Sequence, residues 1–292
     1  MTRIGPFEVY SIKTGTFRLD GGAMFGVVPK VMWEKATDPD TANRIPLSTR
    51  TLLLVDRSAR RVVLVDTGNG TKWSADAAAR FAIEHDGSAI TSSLAKLGFT
   101  AADVTDVVVT HLHFDHNGGL TEWADQPGGE TRLCFPQARH WIHEKQWKHA
   151  HAATPKDRAS YLPEDFAALA SSPMLHFVVG DHPPPPFVGM RWLLSHGHTP
   201  YQLHPVLGDQ KDELLWTGDV IPTIAHLRQP WVMAYDLFPV TTIAEKTDFA
   251  RRAIESGGIL AFPHDPQHAA ARVDGLPERP VVAKAVGLSM QE

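Results

Sequence analysis

Val104-Thr105-Asp106-Val107-Val108-Val109-Thr110-His111-Leu112-His113-Phe114-Asp115-His116 is the stretch that decides how this chain is read. Residues 104–109, rich in β-branched side chains and bounded by polar ones, predict a buried strand. Four metal-binding side chains, His111, His113, Asp115 and His116, follow directly. On an extended backbone the first three point to one side and His116 to the other, so they converge only if the chain turns sharply. Asn117-Gly118-Gly119 supplies the freedom for that turn. Four candidate ligands within six positions imply a metal centre rather than a loop that is histidine-rich by chance.

The same arrangement, a strand that ends on a candidate ligand, returns three times. Residues 187–194 run into Ser195-His196-Gly197-His198-Thr199-Pro200, residues 213–216 into Thr217-Gly218-Asp219, and residues 258–262 into Pro263-His264-Asp265. Sites in α/β proteins form where strand ends meet, so His198, Asp219 and His264 can reach the 111–116 segment. Five imidazoles and two carboxylates are too many for one tetrahedral ion and natural for two. The expected division places His111, His113 and His198 on one ion and Asp115, His116 and His264 on the other, with Asp219 bridging.

These motifs, in this order and spacing, resemble the metallo-β-lactamase superfamily. The resemblance implies an α/β fold of the αββα kind, two mixed sheets face to face with helices outside and two metals at one edge. It also makes Asp66, in Val65-Asp66-Thr67-Gly68, the aspartate that supports the ligand loop from behind. Within the superfamily, the Phe114 variant of the motif, an apolar early loop and the stretch from Asp219 to His226 look like the lactonases and the related organophosphate and aryl-ester hydrolases. Two departures stand out. Tyr201-Gln202 follow the third motif where many members have Gly-His, and Pro222 takes the place of a tyrosine found in well-studied lactonases, so that tyrosine's contact is not carried over.

Composition sets the remaining bounds. With 292 residues, 43% of them hydrophobic, the chain can bury a large core, and it is read as a single domain over residues 1–292. A formal charge of −5 disfavours nucleic acid and membrane surfaces as partners and suits a small, neutral or weakly charged substrate, which the resemblance makes an ester or lactone. Cys134 is the only cysteine, so any metal is held by nitrogen and oxygen. Zinc is the first expectation, with iron, manganese or cobalt also accommodated. No signal-peptide pattern or long apolar run is seen, which gives a cytoplasmic expectation.

Other segments are read more coarsely. Strands are expected at 7–12, 51–55 and 61–65, and helices over 75–97, interrupted at Asp86-Gly87, and over 138–152. On the second helix His140, His143, His149 and His151 are read as a solvated face, and Trp141 to Trp147 as an exposed patch suited to a homodimer. Pro183 to Pro186 form a stiff connector. Met24, Phe25, Val27, Val28, Met32 and Trp33 are candidates to line an apolar substrate pocket with His226 near its mouth, although core packing accounts for each of them equally well. The expected chemistry is hydrolysis: a metal-bridging hydroxide attacks a lactone or ester carbonyl, and Asp115 or a bound water returns a proton to the leaving alkoxide. A phosphotriesterase keeps the metals and changes the electrophile. A non-catalytic metal-binding module is the third reading.

Overall fold

The computed structural model describes residues 2–84 and 90–288. Its strands are β1 (Thr2–Ile4), β2 (Phe7–Asp20), β3 (Arg44–Asp56), β4 (Arg61–Val65), β5 (Asp106–Val108), β6 (Thr121–Trp123), β7 (Thr131–Leu133), β8 (Arg139–His143), β9 (Leu175–Val178), β10 (Met190–Ser195), β11 (Gln202–Leu207), β12 (Leu214–Trp216), β13 (Ile259–Ala261), β14 (Ala270–Leu276) and β15 (Arg279–Val286). The helices are α1 (Gly21–Phe25), α2 (Lys30–Trp33), α3 (Ala75–Phe81), α4 (Ile90–Lys96), α5 (Phe114–Asn117), α6 (Glu144–Ala150), α7 (Pro163–Ala170) and α8 (Pro239–Ser256). One sheet runs β1-β2-β3-β4-β5-β8-β9 and the other β10-β11-β12-β13-β14-β15, while β6 and β7 pair apart. Both large sheets are mixed. The pairs β4–β5, β5–β8, β8–β9 and β12–β13 are parallel and the others antiparallel.

Near-continuous apolar strands explain the layers, because alternate side chains go to opposite faces and both faces must be covered. Leu52, Leu54, Val63, Val65 and Val108 meet Leu207, Leu214, Trp216, Ile259 and Ala261 in the core between the sheets. Their neighbours Leu53, Val55, Val62, Leu64 and Val107 face outward, onto Leu94 of α4 and Phe166 of α7. On the second sheet Val206, Leu215 and Leu260 face outward, onto Phe249 and Ala253 of α8. The expected αββα sandwich is therefore present.

Several expectations need correction. Residues 138–152 are not one helix: β8 comes first, buried between two parallel neighbours, and α6 begins only at Glu144. Polar and aromatic residues alternate there in a way that fits either period, and burial selects the strand. His140 and His143 are thus buried rather than on a solvated face. His143 accepts from the Lys145 N–H and caps α6. His149 reaches Asp157 at 2.6 Å, and only His151 is exposed. Trp141 is not an exposed contact either, since its Nε1–H donates to the buried Asp106 carboxylate at 2.8 Å, and Trp147 packs against the helical layer. The 75–97 stretch forms α3 and α4; Asp86-Gly87 lie outside the described residues.

The 18-residue α8 was not expected from the sequence. Its buried stripe of Thr242, Lys246, Phe249, Ala250 and Ala253 mixes polar with apolar side chains, so the apolar period is faint. Its ends are well marked, with Pro239 in the first turn and Gly257 in the left-handed conformation after the last. Among the described residues no helix is long and apolar enough to cross a membrane.

The inter-sheet core makes a direct prediction. Leu54→Ala should lower the free energy of unfolding in urea by about 2–5 kcal/mol, as expected for a fully buried leucine. Exposed Val281→Ala should stay within about 0.5 kcal/mol of the parent protein.

Candidate metal centre

Parallel pairing sets the site. β4 and β5 run in register with Val65 beside Val108, and β12 and β13 with Trp216 beside Ala261, so their carboxyl ends emerge together. Asp66 leaves β4 in the left-handed region at φ 60°, an uncommon conformation for a residue with a Cβ. Its carboxylate accepts from the Thr110 N–H (2.9 Å), the Thr110 hydroxyl (3.0 Å), His116 Nδ1 (2.9 Å) and, from the other sheet, Trp216 Nε1 (3.0 Å). The supporting aspartate suggested by the sequence is thus a clamp between both sheets and the ligand loop.

The glycines after the motif serve a purpose different from the one expected. Gly118 is right-handed at φ −54°, so conformational freedom is not what the turn requires. Space is the requirement: a Cβ on Gly118 would lie 2.2 Å from the Asn69 carbonyl oxygen, because the loop after Asp66 presses against this one. Gly197 is similar, its Cβ position lying 2.3 Å from the Thr242 nitrogen of α8.

All seven candidate ligands are buried, and the structure brings them together in two sets that share Asp219. One is His111, His113, His198 and Asp219; the other is Asp115, His116, Asp219 and His264. Within each set the ligand atoms lie within 4.8 Å of one another. Asp219 Oδ1 is 3.1 Å from Nε2 of both His116 and His264, while Oδ2 is 3.3 Å from His198 Nε2 and 4.0 Å from His111 Nε2. One carboxylate therefore offers an oxygen to each set.

Hydrogen bonding at the far ring nitrogens fixes the tautomers. His116 Nδ1–H donates to Asp66, His198 Nδ1–H to Asp236 Oδ1 (2.9 Å) and His264 Nδ1–H to the Ser48 carbonyl (2.9 Å). His111 Nδ1–H donates to the Thr110 hydroxyl, whose own hydrogen goes to Asp66. Each of these four rings then turns an Nε2 lone pair inward. His116 and His264 bring these atoms to 3.0 Å, and His111 Nε2 has no hydrogen-bond partner among the described residues. Facing lone pairs and an orphaned buried nitrogen fit a bound cation, since ligands about 2.0–2.1 Å from a tetrahedral zinc stand roughly 3.3 Å apart. A nitrogen and oxygen donor set of this kind suits divalent first-row metals.

The electrostatics agree. Burial, helped by repulsion from neighbouring imidazoles, pushes His111 and His113 well below the ordinary histidine value, so both stay neutral. Burial acts the same way on His116 and His198, but nearby carboxylates outweigh it, Asp219, Asp66 and Asp115 raising the first ring well above the usual value and Asp219 and Asp236 raising the second, so their inward Nε2 atoms hold protons wherever no other cation takes that place. Burial would raise Asp219, yet His116, His264 and His198 hold it well below the carboxylate range. The centre attracts positive charge.

A cavity of about 220 Å³ opens over these ligands. Of the residues proposed for its wall, Met24 lines it and the others do not. Successive helical residues diverge by about 100°, so α1 turns Met24 toward the cavity and Phe25 behind it. Phe25 stacks on Trp33 (5.3 Å between centroids) and on His226 (4.9 Å), all three buried. His226 donates to the Met24 carbonyl (2.8 Å) and accepts from the Thr223 hydroxyl (2.8 Å), so it supports the wall from the rear rather than standing at a mouth. Val28 is buried in the same cluster, whereas Val27 and Met32 are exposed, at 87% and 49%.

The wall instead comes from Phe17, Leu19, Leu47, Phe81, Phe114, Ala159, Ser160, Met233 and Tyr235. Most of these lie outside any motif and are scattered in sequence, so only Phe114, inside the histidine cluster, carried a signal. Asp236, which orients His198, and Tyr161, edge-on to His113 with centroids 4.8 Å apart, were equally unmarked. The Tyr161 hydroxyl meets Thr199 Oγ1 at 2.8 Å, and Gln146 donates to the same oxygen at 3.0 Å. Asp236 thus supports His198 directly, while Tyr161 and Gln146 hold the next residue, Thr199, in a chain that has Tyr201-Gln202 after its third motif.

A family model described as the metallo-beta-lactamase superfamily matches residues 45–274. No curated protein matches the chain in sequence. Among solved structures, a probable metal-dependent hydrolase from Staphylococcus aureus is 27% identical, with 98% of this chain and 100% of that chain covered and a TM-score of 0.82. AidC, a dizinc quorum-quenching lactonase in complex with a product, is 20% identical over 100% of this chain and 97% of its own, with a TM-score of 0.76. The hydrolase AbOPH of the beta-lactamase superfamily is 17% identical over 100% of both chains, with a TM-score of 0.73. At such identities the last two speak for the fold alone. The family match extends over most of the chain and takes in Asp66 and every ligand from His111 to His264, and on that ground the protein belongs to the metallo-beta-lactamase superfamily.

Proposed function

We propose that the protein is a hydrolase that works with two divalent cations, zinc in the first place, and opens a lactone or carboxylic ester. The observation that carries this reading is Asp219, which offers one oxygen to each of two ligand sets at the floor of a largely apolar cavity. Two divalent ions bound there supply an activated water at neutral pH and polarise the oxygen of the group under attack.

The chain's own residues do the rest. Asp219 stays ionised among His116, His264 and His198, and so spans the two sets. Asp66, Asp236 and the Ser48 carbonyl hold their histidines with Nδ1 protonated, which keeps each Nε2 available. Asp115 lies at the cavity floor, 3.4 Å from His264 Nε2, and is the carboxylate suited to take a proton from the attacking water and pass it to the departing alkoxide. The apolar wall excludes bulk water and receives the body of the substrate. The product N-hexanoyl-L-homoserine bound by AidC lends weight to the lactone within this reading.

Three measurements test it. Asp219→Asn should cut metal content toward half and lower turnover by at least about 100-fold, as for loss of a group that holds reacting charge; elemental analysis with a lactone and aryl-ester assay reads both, and an unchanged rate would remove Asp219 from its bridging place. Dialysis against a chelator should abolish hydrolysis and added zinc should restore it. Faster turnover of phosphotriesters than of every lactone and ester would move the assignment to phosphorus.

A further inference from the structure

The segment that leads to Tyr235 is anchored more firmly than a cavity wall requires. Lys246, buried on α8, directs its ammonium hydrogens at the carbonyls of His226 (2.7 Å), Arg228 (2.7 Å) and Trp231 (2.8 Å). The Ala234 N–H donates to the Ala23 carbonyl at 2.8 Å, and the Lys156 ammonium donates to the Ala234 carbonyl at 2.5 Å. On the other side, Asp236 accepts from His198 Nδ1 and from the Met233 N–H (3.2 Å). Tyr235 is thus held between two fixed neighbours.

Its own hydroxyl, by contrast, has no hydrogen-bond partner among the described residues, although the side chain lines the cavity together with Asp115. Burial, with Asp20 and Asp115 adding to it, pushes that phenol up to about 12, so it remains a donor at neutral pH. A preorganised donor with no partner, placed in a cavity, is suited to a ligand's acceptor. The remaining wall narrows the kind of ligand. It is mainly aromatic and aliphatic, Ser160 supplies the other hydroxyl, and no lysine or arginine lines it among the described residues. An anionic substituent lodged against that wall, away from the ligand sets at the floor, would lose its water without gaining a counter-charge, whereas a neutral carbonyl would lose little and gain the phenol.

We propose that Tyr235 is the substrate-positioning hydroxyl of this cavity, and that the substrate it receives is an uncharged ester or lactone with an apolar body rather than one carrying a carboxylate. The proposal rests on the hydrolase reading for its reaction and on the cavity alone for its recognition. Tyr235→Phe keeps the ring and removes only the donor. With the metal-loaded protein, a set of neutral N-acyl lactones and phenyl esters should show kcat/KM about tenfold lower in this variant, mostly through KM, as expected for one hydrogen bond. Metal content and melting temperature should not change. The parent protein should prefer each neutral substrate over its ω-carboxylate counterpart by at least about tenfold. Calorimetric titration with an N-acyl γ-lactam, which resists hydrolysis, should give a Kd about tenfold higher for the variant.

Equal kcat/KM and equal lactam affinity in the two proteins would overturn the role of Tyr235, and rapid turnover of the carboxylate substrates would overturn the neutral class. If the parent protein hydrolyses nothing in the set, the hydrolase reading fails, and the lactam titration still decides whether Tyr235 binds a neutral acceptor.

Discussion

A single buried carboxylate, that of Asp66, holds the site in register. It gathers hydrogens from the backbone and hydroxyl of Thr110, from His116 and from Trp216, and so ties the end of β4 to the ligand loop after β5 and to β12 in the facing sheet. Because the Thr110 hydroxyl also accepts from His111, the orientation of two histidines in different sets depends on one aspartate. The left-handed backbone at Asp66 is the conformational cost, offset by four hydrogen bonds to its carboxylate.

Around that clamp the fold acts as an alignment device. Parallel register brings two strand ends together in each sheet, the inter-sheet core fixes the distance between the sheets, and the glycines at Gly118 and Gly197 permit loops to approach where a methyl group would not fit. The hydrogen bonds at the far side of each imidazole then decide which lone pairs turn inward. Ligand identity, tautomer and position follow from successive levels of one structure.

The ligands were legible in the sequence because the first of each group sits three residues beyond a compact apolar strand, a pattern that survives without knowledge of the tertiary structure. Asp66 was legible only through family likeness, since a lone aspartate after a strand is ordinary. The wall of the cavity was not legible. Phe17, Phe81 and Tyr235 come from different elements and share no spacing, and the one local stretch that suggested a pocket, around Met24 and Phe25, lies on a short helix whose neighbouring residues point apart. The misread of residues 138–152 has a related cause. His140 and Trp141 look polar and amphipathic in isolation, and only the two parallel strands on either side of β8 explain why the first is buried and the second half-buried. Helix α8 was hidden by Lys246, a charged residue inside a buried stripe, whose ammonium is satisfied by three backbone carbonyls that no local pattern reveals.

The sharing of ligands between the two halves of the chain has a thermodynamic consequence. His111 and His113 belong to the loop beyond one sheet and His198 and Asp219 to loops beyond the other, so an ion held by that set would cross-link the layers of the sandwich. An unfolded chain does not present this grouping, and whatever free energy the ion gains on binding is added to the cohesion of the two halves. With metal bound, resistance to unfolding would become a function of free metal concentration, rising logarithmically with it, and would not be a property of the polypeptide alone.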